Sequence, residues 1–569
     1  MTNVPRVGLV ALLLLAFVLV VNAGVLGANW RWDDTQILLH SHQYAFWQNF
    51  LVPEVWQEYS PANLTPWLVF SFEVDLVLFG LTPTAFYVHQ LLAIAAAALM
   101  LFLCLTLWCR PVFAAAGAVL FITGLPTMLI AEQLMTRHYI EGLVFALISV
   151  YAFVLYLRKG KLWLWVIALV MYGLAITAKE IYVPLPALLV VLPDADWRRR
   201  IQASLPFFVL TLLYALWRGY MLGSFSGGYV DSNEYLSVQI LRDVVTSFGT
   251  FPALLAGAWW PVFTVVIVSL WLAYGVRERR LPWRALIIAA LVLLPLVPLV
   301  SSPGIMIADR YLLLPWALLS FSVAWCVDRV AVAVDWRRLN VAESGSRRWQ
   351  GRAVGAVAPW VVLPLIVLIT LSHAVPVRRT VMAVGTEFDV QADFLWRNEN
   401  TLAFVPSVNV LPAYWFVSGL TLLKTRISGQ DSPLPIVDEI YLAAQDVTPL
   451  YTYDAGCQCM RDISEDIPAR LIAYEERLRP VAPLTLEYRY WQGFFTWQFG
   501  PWQEGSYHVV SDALGVLPLP TAGQLRVTLA DNTPFYLRYT SPEGWVTYSE
   551  LNYVERDGAA VEWSRNLAE

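Results

Sequence analysis

The sequence predicts a polytopic α-helical membrane protein, with about eleven transmembrane helices and a C-terminal extracytoplasmic α+β domain. Three observations predict it. Hydrophobic residues make up 58% of the chain and charged residues 14%, against about 45–50% and 25% in soluble domains. Apolar runs of about 17–25 residues recur between charged or Pro/Gly-rich breaks. Charge is also divided unequally. Residues 380–569 hold 24 acidic and 12 basic side chains, so the net charge of −5 leaves the first 379 residues at +7. No block of basic residues suggests a nucleic-acid partner.

The expected spans are 7–27, 83–107, 112–130, 139–157, 162–178, 181–193, 203–222, 247–273, 284–301, 311–330 and 356–374. The first follows Met1 to Arg6 and is too long for a signal-peptide core, so it is read as an uncleaved helix. The sixth is short and holds Pro184 and Pro186, which predicts a kink. Together these form a membrane domain over 1–374.

Orientation follows from Lys and Arg. With a cytoplasmic N-terminus, the inner loops hold Arg6, Arg110, Arg158-Lys159-Gly160-Lys161, Arg198-Arg199-Arg200, Arg277 to Arg284 and Arg329 to Arg352. The outer loops hold Arg31, Arg137, Lys179, Arg218, Arg242 and Arg310. The threefold inner excess alternates loop by loop, as the positive-inside rule requires. The first outer loop, 28–82, is long and rich in Trp, Phe and Pro. Its segments Trp47 to Trp56 and Pro66 to Phe79 predict short helices lying in the outer interface.

Residues 375–569 read as the α+β domain. Asp389 to Ala403 and Ile467 to Leu478 have helical spacing, while Leu484 to Tyr490, Gln524 to Leu529, Phe535 to Tyr539 and Trp545 to Tyr548 alternate as strands. Cys104, Cys109 and Cys326 lie in or beside apolar runs and read as packing residues. Cys457-Gln458-Cys459 is open to either a disulfide or a reduced pair, and its spacing is not a zinc pattern.

Unusual charges gather at the outer ends of spans. Asp33 and Asp34 follow the first span. Glu132, Arg137, His138 and Glu141 come next, then Lys179 and Glu180, then Asp309, Arg310 and Tyr311. Ionisable groups at membrane depth are costly and raise a functional hypothesis. A carboxylate can take a proton from an attacking hydroxyl, and Arg or Lys can hold a phosphate. A divalent ion would find hard oxygen ligands in Asp33 and Asp34, although no spacing demands one.

These residues carry a resemblance to the GT-C glycosyltransferases, polytopic enzymes that use polyprenyl-phosphate-linked sugars. Asp33-Asp34 matches the acidic pair at the outer end of that family's first helix. Tyr59-Ser60-Pro61-Ala62-Asn63-Leu64-Thr65, then Leu78-Phe79-Gly80-Leu81-Thr82-Pro83 and Tyr87-Val88-His89-Gln90, resembles its Arg-Pro-Leu, Gly-Leu-x-Pro and His-x-x-Asn stretch, with Ser60 in place of the Arg. Ala178-Lys179-Glu180 before Pro184 is similar to its Lys-Glu pair. Asp309-Arg310-Tyr311-Leu312-Leu313-Leu314-Pro315 is similar to its Arg-Tyr-Leu-Tyr-Leu-Pro segment. The resemblance covers about residues 7–330. It is nearest to protein O-mannosyltransferase-like and tetratricopeptide-type members, without the repeats.

The resemblance implies a bacterial inner-membrane glycosyltransferase. Its donor would be a polyprenyl-phosphate sugar, and its acceptor hydroxyl would sit on a protein, polysaccharide or glycolipid. Asp34, slightly favoured, or Asp33 would be the base of an inverting displacement. Arg310, Lys179 and Arg137 would bind the donor phosphate, with Glu180, His138, Glu132 and Tyr311 as further cavity residues. Blander roles stand beside these. Asp33 and Asp34 suit a helix cap, Lys179 and Glu180 suit a self-satisfied pair, and Arg310 suits a partnership with Asp309. Two other functions compete: a transporter or flippase of a lipid-linked substrate, and a non-catalytic scaffold that keeps the fold.

Overall fold

In the computed structural model of the protein, the described residues are 4–60, 62–223, 225, 246, 249–278, 283–296, 309–331, 346–399, 402–406, 411–479, 483–491, 494–512, 515–526, 532–554 and 563–566. Residues 297–301 of the ninth expected span, and Arg242, lie outside them. The chain divides into two compact units. One holds Met1–Gly27, Thr84–Gly219 and Ser224–Met382, and the other holds Ala28–Pro83, Tyr220–Gly223 and Ala383–Glu569. The 28–82 segment, expected with the membrane half, is therefore compact with the C-terminal residues.

Helix α1 (Val4–Asn22) runs into a 3-10 turn over Ala23–Gly27. Four short helices follow: α2 (Asp34–Gln43), α3 (Phe46–Leu51), α4 (Pro53–Tyr59) and α5 (Pro66–Phe79). The expected segment Pro66 to Phe79 is α5, and the expected segment Trp47 to Trp56 divides at Val52 into α3 and α4, with Pro53 and Pro66 in the first turns of α4 and α5. The long helices resume with α6 (Pro83–Thr106), the pair α7 (Pro111–Thr123) and α8 (Leu125–Glu132), α9 (Arg137–Lys159) and α10 (Leu162–Ala178). They continue with α11 (Leu185–Val191), α12 (Trp197–Leu222), α13 (Trp260–Glu278), α14 (Trp283–Leu293), α15 (Leu313–Ala331) and α16 (Ser346–Arg397).

Each of the eleven expected apolar runs contains helix, with breaks at Gly124 and at residues 183–184. Among those residues, seven helices are long and apolar enough to cross a membrane. The pair α7 and α8 passes the same test together but bends by 53°, and Leu162–Ala178, Glu180–Val191 and Leu286–Leu296 are shorter apolar helices. The chain is thus a mostly helical membrane protein. Leu9, Leu12 and Val20 of α1 and Leu205, Val209 and Leu212 of α12 stay exposed, as suits helices whose solvent is hydrocarbon.

The break between α7 and α8 has a tertiary cause. Trp316 of α15 is fully buried, and its indole N–H donates to the Phe121 carbonyl at 3.0 Å. The ring fills the space beside Gly124, where a Cβ would lie 2.1 Å from it. Only glycine lets the backbone come that close. At the sixth expected span, Glu180–Tyr182 forms a 3-10 turn before α11, whose first turn carries proline, so the expected kink is a break.

In the second unit, α2 packs against α5 and against α17 (Leu411–Ser428). Thr35 ties α2 to α17 through its hydroxyl, which donates to the Phe416 carbonyl at 3.0 Å. The expected helix over Asp389 to Ala403 stops at Arg397, and Ala403 instead opens strand β1 (Ala403–Val405). β1 pairs in parallel with β2 (Leu434–Pro435) and with β3 (Leu450–Asp454), and β4 (Cys459–Asp462) adds antiparallel to β3. Helices α18 (Glu439–Ala444) and α19 (Ile467–Arg477) accompany this small sheet. Cys457 and Cys459 are joined by a disulfide.

The expected β-rich end is two antiparallel sheets. The first has the order β11-β10-β7-β8, built from β7 (Ser506–Ser511), β8 (Gly515–Leu519), β10 (Pro534–Thr540) and β11 (Val546–Tyr548). β12 (Asn552–Tyr553) also pairs with β10. The second has the order β13-β5-β6-β9, built from β5 (Thr485–Trp491), β6 (Phe494–Gly500), β9 (Ala522–Arg526) and β13 (Trp563–Asn566). Period-two alternation turns Leu486, Tyr488, Phe495, Trp497, Phe499, Tyr507, Val509, Leu537 and Tyr539 into one shared core. On the opposite face of the first sheet, register places Arg538 between His508 and Tyr548. Buried Asp438, the N-cap of α18, pairs with the Arg538 guanidinium and accepts from the Tyr548 hydroxyl at 2.7 Å. This carboxylate fastens the small sheet's helices to the β-rich end.

Candidate functional site

The residues leading into α2 form a clamped turn. The Asp389 carboxylate, on the last stretch of α16, accepts from Arg31 Nε at 2.8 Å, from Arg31 Nη2 at 2.6 Å and from the Asn29 backbone N–H at 2.9 Å. This two-point match of guanidinium and carboxylate fixes direction as well as distance. The Arg31 guanidinium lies flat against Gly385, where a Cβ would meet it at 2.7 Å. Trp32 then takes a left-handed backbone, φ +52, a conformation that costs a bulky residue about 1–3 kcal/mol. Its ring rests on Phe388 at 5.0 Å, and Phe388 in turn meets Phe416 edge-on at 4.9 Å. The turn is held in a strained shape from several sides, as functional turns often are.

The two aspartates leave this turn differently. Asp34 is fully buried, and its Oδ2 accepts from the Arg31 backbone N–H at 2.9 Å, while its own N–H donates to the Arg31 carbonyl at 3.0 Å. Asp33 is half-buried and stands at the N-cap of α2, yet its carboxylate makes no capping hydrogen bond. The capping role that composition suggested is therefore not what the Asp33 side chain does, and Asp34 braces the turn. Behind them, His40 Nε2 meets Asn49 Oδ1 at 2.7 Å, and burial pushes the imidazole below its ordinary range.

In the other unit, the break between α10 and α11 places buried Lys179 with its ammonium over the Tyr139 ring, 4.8 Å from the centroid. Tyr139 meets Tyr311 edge-on at 6.0 Å, and Arg310 lies 5.3 Å over the Tyr311 ring. Lys179, Arg310 and His138 stand within electrostatic reach of one another. Tyr182 helps fix the floor by donating to the Tyr139 carbonyl at 2.6 Å. Four sequence candidates, Lys179, His138, Arg310 and Tyr311, are thus gathered. Two cations and an imidazole faced with aromatic rings have the chemistry to hold an anion.

The remaining candidates have other partners. Glu180 pairs with Arg218 at 2.8 Å, with the Tyr214 hydroxyl at 3.4 Å, and stays within electrostatic reach of Lys179. Arg137 is fully buried and donates to the Phe86 carbonyl at 2.8 Å and to Gln90 Oε1 at 3.4 Å. Its neighbours His89 and Glu141 meet at 3.2 Å. Glu132 accepts from Arg378 Nε at 2.8 Å, and Arg378 also donates to the Val21 carbonyl at 2.7 Å. That bond set joins α1, α8 and α16.

Sequence reading missed Asp389, Arg378 and the anchoring role of Arg218. Asp389 lies 358 residues from Arg31, and no spacing rule reaches that far. Neither Arg378 nor Asp389 stands out locally, since Arg378 is followed by Arg379 and Asp389 lies between Glu387 and Asp393. Among the described residues, no group of three or more His, Cys, Asp and Glu is gathered for a metal ion. Comparison with protein-family models, curated proteins and solved structures finds no match.

Proposed function

We propose that the chain is a GT-C-type glycosyltransferase of a bacterial inner membrane. It moves a sugar from a polyprenyl-phosphate donor to an acceptor hydroxyl on the extracytoplasmic side. The observation that carries this reading is the Asp33 carboxylate. It is half-exposed, is not used as a cap, and sits on a turn locked by the Asp389–Arg31 clamp and by Asp34. A general base needs this combination of a fixed position and a carboxylate that solvent and substrate can reach. Asp33 therefore takes the base role here, and Asp34 holds the turn.

The chemistry balances as a single displacement. The acceptor oxygen bonds to the anomeric carbon, the bond from that carbon to the phosphate oxygen breaks, and the hydroxyl proton passes to Asp33. Configuration inverts. Lys179 and Arg310 stabilise the departing phosphate, with His138 and Tyr311 beside them. The Cys457–Cys459 disulfide accords with an oxidising, extracytoplasmic compartment.

The test is direct. Membranes carrying the chain are supplied with polyprenyl-phosphate sugars and candidate protein, polysaccharide and glycolipid acceptors. Transfer with inverted anomeric configuration is expected. Retained configuration, or no transfer with any donor, would refute the reading. The helix breaks at Gly124 and Lys179 favour one rival, a transporter of the lipid-linked sugar, because broken helices serve transporters too. Movement of intact donor across vesicles without transfer would establish that rival.

A further inference from the structure

The Cys457–Cys459 disulfide closes the tip of the β3–β4 hairpin, and it does little that the hairpin does not already do. Asp454 and Cys459 are ladder partners, so the strands are paired up to the turn without it. The Asp454 carboxylate accepts from the Gly456 N–H at 2.7 Å, and Arg461 reaches the same carboxylate at 3.4 Å, which adds a second closure. The covalent loop encloses one residue, Gln458, whose backbone is left-handed at φ +52. Cross-link stabilisation grows with the length of chain enclosed, so the smallest loops gain least. A staple at this position has little to hold.

Both cysteines are exposed at the hairpin tip. An incoming thiolate needs open approach to one sulfur, and exposed disulfides are the labile ones. Cys104, Cys109 and Cys326, the other cysteines of the chain, are buried and unbonded, so the attacking thiolate comes from another molecule.

We propose that Cys457 and Cys459 form a thiol–disulfide exchange site whose co-reactant is a dithiol. One thiolate of the dithiol attacks one sulfur of the pair. The Cys457–Cys459 bond breaks, and the other sulfur leaves as a thiolate and takes up a proton. The second thiol of the dithiol then attacks the mixed disulfide. The partner departs oxidised, and the pair is left as two thiols. Two electrons and two protons have moved, and the reverse sequence reoxidises the pair. The site is independent of the sugar chemistry proposed above.

The test uses the full-length protein in detergent with dithiothreitol as the probe. Protein is equilibrated in graded ratios of reduced to oxidised dithiothreitol, and new thiols are alkylated with a maleimide that shifts mobility. Melting of the same samples is followed in parallel. The pair is expected to open while the protein stays folded, at a rate at least tenfold faster than for a buried disulfide in a control protein. The Cys457→Ser/Cys459→Ser variant is expected to melt within a few degrees of wild type. A pair that opens only as the protein unfolds would overturn the proposal. A double variant that loses the fold would do the same, since either result makes the bond a structural staple.

Discussion

Asp389 shows how one residue can set the position of others. It touches neither Asp33 nor Asp34 through any bond described above, yet it orients Arg31 and Asn29, which shape the turn that presents them. Removing it leaves a buried guanidinium without this acceptor, and hydrogen bonds to charged groups contribute about 1.5–3 kcal/mol. Asp389→Ala is expected to lower the melting temperature and to cut sugar transfer by about 100-fold through misplacement of the turn. Asp389→Asn keeps one acceptor and should fall between. Equal activity in all three proteins would remove Asp389 from the account. A second residue-scale prediction concerns His508. Burial and the adjacent Arg538 cation push its imidazole down to about 4. The fold therefore favours the neutral ring. Its contribution is whole above pH 6.5, shrinks as pH falls because the unfolded chain takes the proton first, and is gone once pH passes below about 4. His508→Gln should flatten the pH dependence of melting between those limits, read by thermal denaturation of the full chain. The acidic pair was legible from sequence because two carboxylates at a membrane exit are costly. Its clamp was not, because ion pairing across hundreds of residues leaves no local pattern.

Elements were legible where hydrophobic period and length agree. Every expected apolar run contains helix, and the alternating segments at 484–490, 535–539 and 545–548 became strands β5, β10 and β11. Breaks were harder to read. The run over 112–130 looks continuous, but Trp316 from α15 occupies the space beside Gly124 and turns one helix into α7 and α8. That constraint is tertiary, and a window of sequence does not contain it. Gly124→Val would drive a side chain into a fully buried indole, and overpacking of this kind costs about 1–3 kcal/mol. The expected result is a lower melting temperature in detergent. Recovery is expected when Trp316→Leu is combined with it, and an unchanged melting point in the single variant would mean the indole is free to move. Helix α17 was also missed, because its apolar run is short and ends in Lys424 and Arg426. The helix expected over Asp389 to Ala403 runs too far, because partners β2 and β3 draw Ala403 into a strand.

At the scale of the whole molecule, composition and the alternation of basic loops predicted a helical membrane chain with a hydrophilic, β-rich end. Both features are present among the described residues. What sequence order concealed is that residues 28–83 are compact with the chain beyond residue 383. Contiguity in sequence suggested one membrane domain up to residue 374, whereas α2 finds its packing partner in α17, far along the chain. The most direct measurement of the central claim is sugar transfer by Asp33→Asn and Asp34→Asn membranes supplied with polyprenyl-phosphate sugars. Asparagine keeps the size of aspartate but cannot hold the proton. The account predicts that Asp33→Asn loses about 10²–10⁴ of the rate, as removal of a general base does. Asp34→Asn, which keeps an acceptor for the Arg31 N–H, is predicted to lose less. Wild-type transfer by Asp33→Asn would contradict the account.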